Sequence, residues 1–207
     1  MNTYLYLNRF MTAFADYGLM FLIPLFVFQS TQSAQLAGLA FTIEYLVKVF
    51  FSPVAGSLID RYPLIKLMSR VNLTRALVSL GTALSLLMLD NSNIHAIFAL
   101  VVVLSVFNGL GFAINFMAQE TLLTQLIERK HFAKVQAKIQ SLEQIALVTA
   151  PIVFAAALSI LAFYWVLMSL VVVFITANFA LLKGTNTISL ALPSDRFLTL
   201  KQRLTAN

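Results

Sequence analysis

Few residues in this 207-residue chain are able to do chemistry, and three of them stand where charge is most costly. Asp16, Glu44 and Lys48 fall inside long apolar stretches, and an ionised side chain near the middle of a membrane helix costs about 2.5–3.5 kcal/mol on insertion scales. Each Leu, Ile, Val or Phe returns only about 0.3–0.6 kcal/mol. An unpaired Glu44 and Lys48 would therefore nearly cancel the insertion energy of their own helix. The two are four residues apart, which places them on one helix face, so they are expected to pair and to face a bundle interior or a water-filled cavity. Such groups can carry a proton or hold a polar group of a substrate; they can equally be an ion pair that locks helices together. Asp16 has the same two readings: a proton or substrate site, or a side chain reaching back to cytoplasmic water. Asn108 and Asn115, with Gly109 and Gly111 between them, could line the same pathway, although small and amide residues also serve helix packing. Metal and cofactor chemistry is not expected. Cysteine is absent, His95 and His131 fall on opposite membrane sides in the topology below, and Ser, His and acidic residues converge nowhere in the manner of a hydrolase. The chain is not expected to be an enzyme.

Groups placed this way need helices to hold them in lipid. The sequence is 60% hydrophobic and 11% charged, with a mean hydropathy of +0.88, far from the balance of a soluble domain. Charge-free stretches exceed the length of any strand, which favours hydrophobic helices over a barrel. A hydrocarbon core of about 30 Å needs about 20 helical residues, and the chain divides at that spacing into six spans, 10–28, 36–59, 71–89, 94–118, 142–162 and 164–182. Residues 161–165 separate the last two, and Tyr164 and Trp165 suit a membrane interface. A removable signal peptide is not expected, because the first apolar run is too long, contains Asp16 and has only Arg9 ahead of it.

Orientation follows from the basic residues. One set of connections holds Arg9; Arg61, Lys66, Arg70 and Arg75; Arg129, Lys130, Lys134 and Lys138; and Lys183, Arg196, Lys201 and Arg203. The other set, residues 29–35, 90–95 and the turn before Trp165, holds none, so the first set and both termini are predicted to be cytoplasmic. The net charge of +6 thus marks a membrane face rather than nucleic acid, whose binders gather Lys and Arg into a surface stripe. The expected division is a six-helix bundle over 1–183 and a cytoplasmic tail over 184–207. In that tail Pro193-Ser194-Asp195 could start an interfacial helix, with Phe197, Leu200 and Leu204 in the leaflet and Arg196, Lys201 and Arg203 at anionic headgroups. A floppy polar tail is the alternative.

The segment Pro53-Val54-Ala55-Gly56-Ser57-Leu58-Ile59-Asp60-Arg61, followed by Lys66 and Arg70, resembles the signature loop of the major facilitator superfamily. That pattern has a glycine where helices approach closely, an acidic–basic pair four residues on, and further basic residues after it. Tyr62-Pro63-Leu64-Ile65-Lys66 departs from it where the family shows another glycine and adjacent basic residues. Asp16, Ile23-Pro24-Leu25, Ser33-Ala34, Arg75 and Ala150-Pro151 look like the branch containing enterobactin-type siderophore exporters and macrolide efflux pumps. The resemblance implies an all-α membrane protein, half of a major-facilitator fold, with six transmembrane helices as two inverted three-helix repeats.

It further implies a secondary transporter of exporter type in a bacterial cytoplasmic (inner) membrane, moving a small amphipathic compound such as a siderophore or drug. Gly56, Asp60, Arg61 and Lys66 would form a cytoplasmic gate, with Glu120 joining Asp60 and Arg61. Asp16, Glu44, Lys48, Asn108 and Asn115 would line the substrate or proton pathway. Many proton-coupled members carry an arginine about four residues before a glycine in the fourth helix, where this chain has Ser105 before Gly109. Expected partners are membrane lipids, a small-molecule substrate, and either a second copy or a separate carboxy-terminal half; the alternative is a truncated, non-transporting membrane protein or interaction subunit.

Overall fold

The computed structural model describes residues 3–89, 94–127 and 129–191. They form seven helices: α1 (Thr3–Thr31), α2 (Ala34–Phe50), α3 (Ser52–Arg61), α4 (Leu64–Met88), α5 (Ile94–Leu126), α6 (Arg129–Leu158) and α7 (Phe163–Ala191). Five are long and apolar enough to cross a membrane, and α2 with α3 makes a sixth span bent by 45°. The six expected spans are therefore present, the second as two helices. The break has a local cause: Pro53, in the first turn of α3, has no amide hydrogen, and its ring crowds the carbonyl four residues back.

Packing follows an approximate twofold pattern that relates α1 to α5, α2 to α6 and α4 to α7. α1 packs on α6 as α5 packs on α2; α1 packs on α7 as α5 packs on α4; and α4 meets α7 across the axis. Those are the contacts of two inverted three-helix repeats. The apolar core lies where α1, α4, α5 and α7 converge, around Leu19, Leu22, Ile23, Leu104, Leu167, Leu170 and Phe174. The chain reverses between α1 and α2 in two residues, with Gln32 in the left-handed region at φ 53° and Ser33 capping α2 through the Leu36 amide at 3.3 Å.

Most helices extend beyond the expected spans, and this corrects the reading of two arginines. α1 starts at Thr3 and α4 at Leu64, so Arg9 and Arg75 are not loop residues marking a membrane face. Both are buried, at 6% and 3% exposure, and at 1.5 Å per residue Arg75 lies about 16 Å from the start of α4, near its middle. Arg61, Lys66, Arg70, Arg129, Lys130, Lys134, Lys138 and Lys183 are all exposed. By connectivity they fall at one end of the bundle. α7 continues past residue 182; the helix expected from Pro193 lies outside the described residues. In sealed vesicles, Lys66→Cys and Gln35→Cys should be labelled by an impermeant thiol reagent from opposite sides, in a chain with no cysteine of its own. Labelling of both from one side would contradict the six-span threading.

Candidate functional site

Each central helix carries its polar residues on one stripe. On α4 these are Asn72, Arg75, Ser79 and Thr82; on α5 Ser105, Asn108, Asn115 and Gln119; on α1 Asn8, Arg9, Thr12 and Asp16. All are buried. Apart from the adjacent Asn8 and Arg9, spacings of three, four and seven residues put each set on one helix face, and the fold turns those faces inward, where polar groups can satisfy one another instead of meeting lipid.

The stripes build a charged chain through four helices. Arg75 pairs with Asp16 and donates to Asn108. The Asn108 amide donates to Glu44 at 2.9 Å, and Glu44 pairs with Lys48 at 2.7 Å. The sum is neutral, two carboxylates against two cations, and this neutrality makes the burial tolerable. Aromatic faces support both cations, with the Arg75 guanidinium 4.3 Å from the Phe174 ring centroid and the Lys48 ammonium 4.7 Å from that of Phe112. Two glycines admit the chain. A Cβ on Gly111 would collide with the Arg75 side chain, and one on Gly109 would stand 2.9 Å from the Glu44 carbonyl oxygen. Arg75 Nε and Nη1 and Glu44 Oε2 have no hydrogen-bond partner among the described residues, so the chain retains capacity for a further polar group.

A second cluster sits about two to three helical turns nearer the basic end, from Asp16 to Arg9 on α1 and from Asn108 to Gln119 on α5. Arg9 donates to Gln119 and pairs with Glu143, and its Nη2 is 3.4 Å from Glu120. Gln119 in turn donates to Asn8 at 3.2 Å and Thr12 at 3.3 Å, and Asn8 donates to the Ala177 carbonyl at 2.8 Å. One guanidinium thereby ties α1 to α5 and α6. Between the clusters lies a recess lined by Asp16, Tyr17, Phe112, Asn115, Phe116 and Glu143, among others, with about 20 Å³ of free space. That volume admits a water and nothing larger.

The expected pathway residues divide between these features. Asp16, Glu44, Lys48 and Asn108 form one connected chain, and Asn115 stands apart, donating to Asn72 at 2.7 Å while lining the recess. The expected gate residues fall at two places. Asp60, Arg61 and Lys66 are exposed at the α3–α4 junction, whereas Glu120 gives one oxygen to Arg9 and the other to Gln136 at 3.3 Å. Nothing lies within 4 Å of a Cβ built on Gly56, so the close helix approach expected there is not made with any described residue. Sequence reading missed Arg9, Arg75, Asn72, Gln119 and Glu143 as interior groups. The polar stripes were the available signal.

A family model described as Major Facilitator Superfamily matches residues 5–197. No curated protein matches, and no solved structure does.

Removing either partner of the Asp16–Arg75 pair leaves an uncompensated buried charge, which costs about 3–5 kcal/mol. Asp16→Asn and Arg75→Gln should each lower the thermal unfolding temperature of the detergent-purified protein substantially. The double variant should recover much of the loss. Strictly additive losses would show that the two side chains are not coupled.

Proposed function

The chain belongs to the major facilitator superfamily, and we propose that within this family of membrane transporters it serves as one six-helix unit of an exporter for a small amphipathic compound such as a siderophore or drug. The observation that carries the proposal is the neutral chain Asp16–Arg75–Asn108–Glu44–Lys48 across α1, α4, α5 and α2. A polar column at mid-bundle is what an intramembrane pathway needs, and buried charge of this kind marks function in membrane helices more often than packing alone. Lys48 and Phe112 bring the column to the side of the bundle where α2 meets α5. The likeness of Asp16, Ile23-Pro24-Leu25, Arg75 and Ala150-Pro151 to siderophore and macrolide exporters supports the outward direction. The basic residues at one end support a multi-pass protein of the bacterial inner membrane with cytoplasmic termini.

A second bundle completes the pathway in this reading, as a second copy or a separate polypeptide. The recess between the two polar clusters is too small for a substrate, so in this reading an amphipathic compound passes between two such units, by rocking of one against the other. Gly38 and Gly56 lie on the two arms of the bent α2–α3 span, and neither has an atom of another described element within 4 Å of its Cβ position. Helix-interior glycine costs about 1 kcal/mol relative to alanine, and close approach by another helix is the usual return.

Two measurements test the proposal. Cells producing the chain, with any companion unit, should accumulate less of at least one amphipathic compound, and Glu44→Gln or Asp16→Asn should abolish the difference. Unchanged accumulation of every compound tried would end the transport reading. Asp60→Cys and Gln144→Cys, both exposed, should crosslink between two copies if the second unit is another copy; a crosslink-free result in folded protein would point instead to a separate polypeptide.

A further inference from the structure

The polar column and the recess beside it leave the other end of the bundle unused. There, opposite the basic residues, α1 and α4 finish and α5 and α7 begin, and a cavity of about 410 Å³ lies among them. The recess between the polar clusters has about 20 Å³. Small-molecule sites span about 300–1,000 Å³, and they combine apolar and aromatic walls with a few polar groups that fix orientation. This cavity has that make-up. Phe26 of α1 and Phe163 of α7 form a stacked wall, with ring centroids 3.7 Å apart and planes 5° from parallel. Leu86 of α4 and Ile97 of α5 add aliphatic surface. Ala162, in the turn before α7, brings only a methyl group, which leaves the space open. Gln29 and Ser30, near the end of α1, supply an amide and a hydroxyl, and Tyr164 a phenol.

The same lining states what can occupy it. Among the described lining residues there is no Asp, Glu, Lys, Arg or His, so an ion entering would lose its hydration and meet no opposite charge. Water fills such a space poorly, because each buried water needs two to four polar partners and most of this wall offers none. An aromatic body suits the ring wall, since aromatic pairs gain beyond the area they bury. Depth points the same way. Phe26 is five residues from the end of α1, about 8 Å at 1.5 Å per residue, and the neighbouring Tyr164 and Trp165 are the residue types of a membrane interface. Compounds with one apolar and one hydrogen-bonding end collect in that layer.

We propose that this cavity is a binding site for a small uncharged aromatic compound carrying a hydrogen-bonding group, of the phenol class, with its ring against Phe26 and Phe163 and its polar group at Gln29 and Ser30. No described residue of α2 or α6 lines it, so it is separate from the side of the bundle where Lys48 and Phe112 bring the charged column to α2 and α5. The occupant touches α1 and α4 of one repeat and α5 and α7 of the other, and it therefore ties the outer ends of the two repeats together. The proposal does not rest on the transporter reading, since binding is measurable on protein that moves nothing.

Trp165 is the sole tryptophan of the chain, and its ring is 5.6 Å from that of the cavity residue Tyr164, so its fluorescence reports occupancy. The full chain in lipid nanodiscs should be titrated with para-bromophenol, which is uncharged at neutral pH and quenches through its bromine. Quenching should show a saturable part above the linear part that comes from partition into lipid. The charged para-bromobenzenesulfonate and para-bromophenyltrimethylammonium should give the linear part alone. Ala162→Phe, which fills the cavity, should abolish the saturable part, and Leu89→Phe should do so if Ala162→Phe does not fold. Saturating para-bromophenol should also raise the thermal unfolding temperature of the wild type and leave that of the filled variant unchanged. Gln29→Ala combined with Ser30→Ala should weaken para-bromophenol about tenfold and leave para-bromotoluene, which has no hydroxyl, unaffected. Purely linear quenching of the wild type, or a saturable part that survives both filling substitutions, would overturn the site. Equal saturable binding of the charged compounds would overturn its selectivity for neutral ligands, and para-bromophenol binding unchanged by the paired alanine substitutions would overturn the role of Gln29 and Ser30.

Discussion

Lipid offers no partner to a polar group, and the organisation of this bundle answers to that constraint. Water would otherwise hydrate Asp16, Glu44, Lys48, Arg9 and Arg75 at little cost; in an apolar setting each must find opposite charge or hydrogen bonds inside the protein. The helices are consequently held by specific polar contacts as well as by packing. α1 is the hub, because Arg9 reaches α5 and α6 while Asp16 reaches α4. Tyr17 and Leu19, on the same helix, contribute to the apolar core. A single helix thus serves both kinds of cohesion on adjacent faces.

Close backbone approach is the second requirement, and it is met by glycine at two neighbouring positions with different tasks. Gly109 brings α5 against the backbone of α2, and Gly111 leaves a trough for the aliphatic part of Arg75. Without the trough, the guanidinium would be pushed away from Asn108 and Asp16. Side-chain size on one helix therefore determines whether a charge on another can be buried at all. The bend between α2 and α3 has an analogous role, since Glu44 and Lys48 stand on the segment before Pro53 and the signature loop on the segment after it. The two parts of the span can be oriented separately, one toward the charged column and the other toward the basic end.

Much of this architecture was legible in the sequence. Hydropathy alone marks six spans, and the spacing of Glu44 and Lys48 implies their pairing. Arg9 and Arg75 were misread for a physical reason: a long cationic side chain within a turn or two of an apparent helix end can snorkel to the interface. Spans cut to the thickness of the hydrocarbon core leave out the charged ends of a helix, even when the helix continues through them. α4 begins at Leu64 although its first turns carry Lys66 and Arg70, which moved Arg75 from an edge to the middle. Periodicity was the better guide, because Asn72, Arg75, Ser79 and Thr82 share a face whatever boundary is drawn. No comparable signal distinguishes Glu120 paired with Arg9 from Glu120 paired with Arg61. That choice depends on the rotation of α5 about its axis, which only the whole bundle determines.

The contrast between the two polar clusters bears on what each can do. A neutral, connected chain such as Asp16–Arg75–Asn108–Glu44–Lys48 resists change, since separating either ion pair exposes a buried charge. It holds α1, α2, α4 and α5 together as a rigid block. Arg9, by contrast, faces two carboxylates, Glu120 and Glu143, with one guanidinium nitrogen. Charge balance therefore differs along the bundle, with the balanced chain at mid-bundle and the unbalanced one toward the basic end. α6 is the helix joined only to the unbalanced cluster, and it is also the least buried of the spans that cross unbroken.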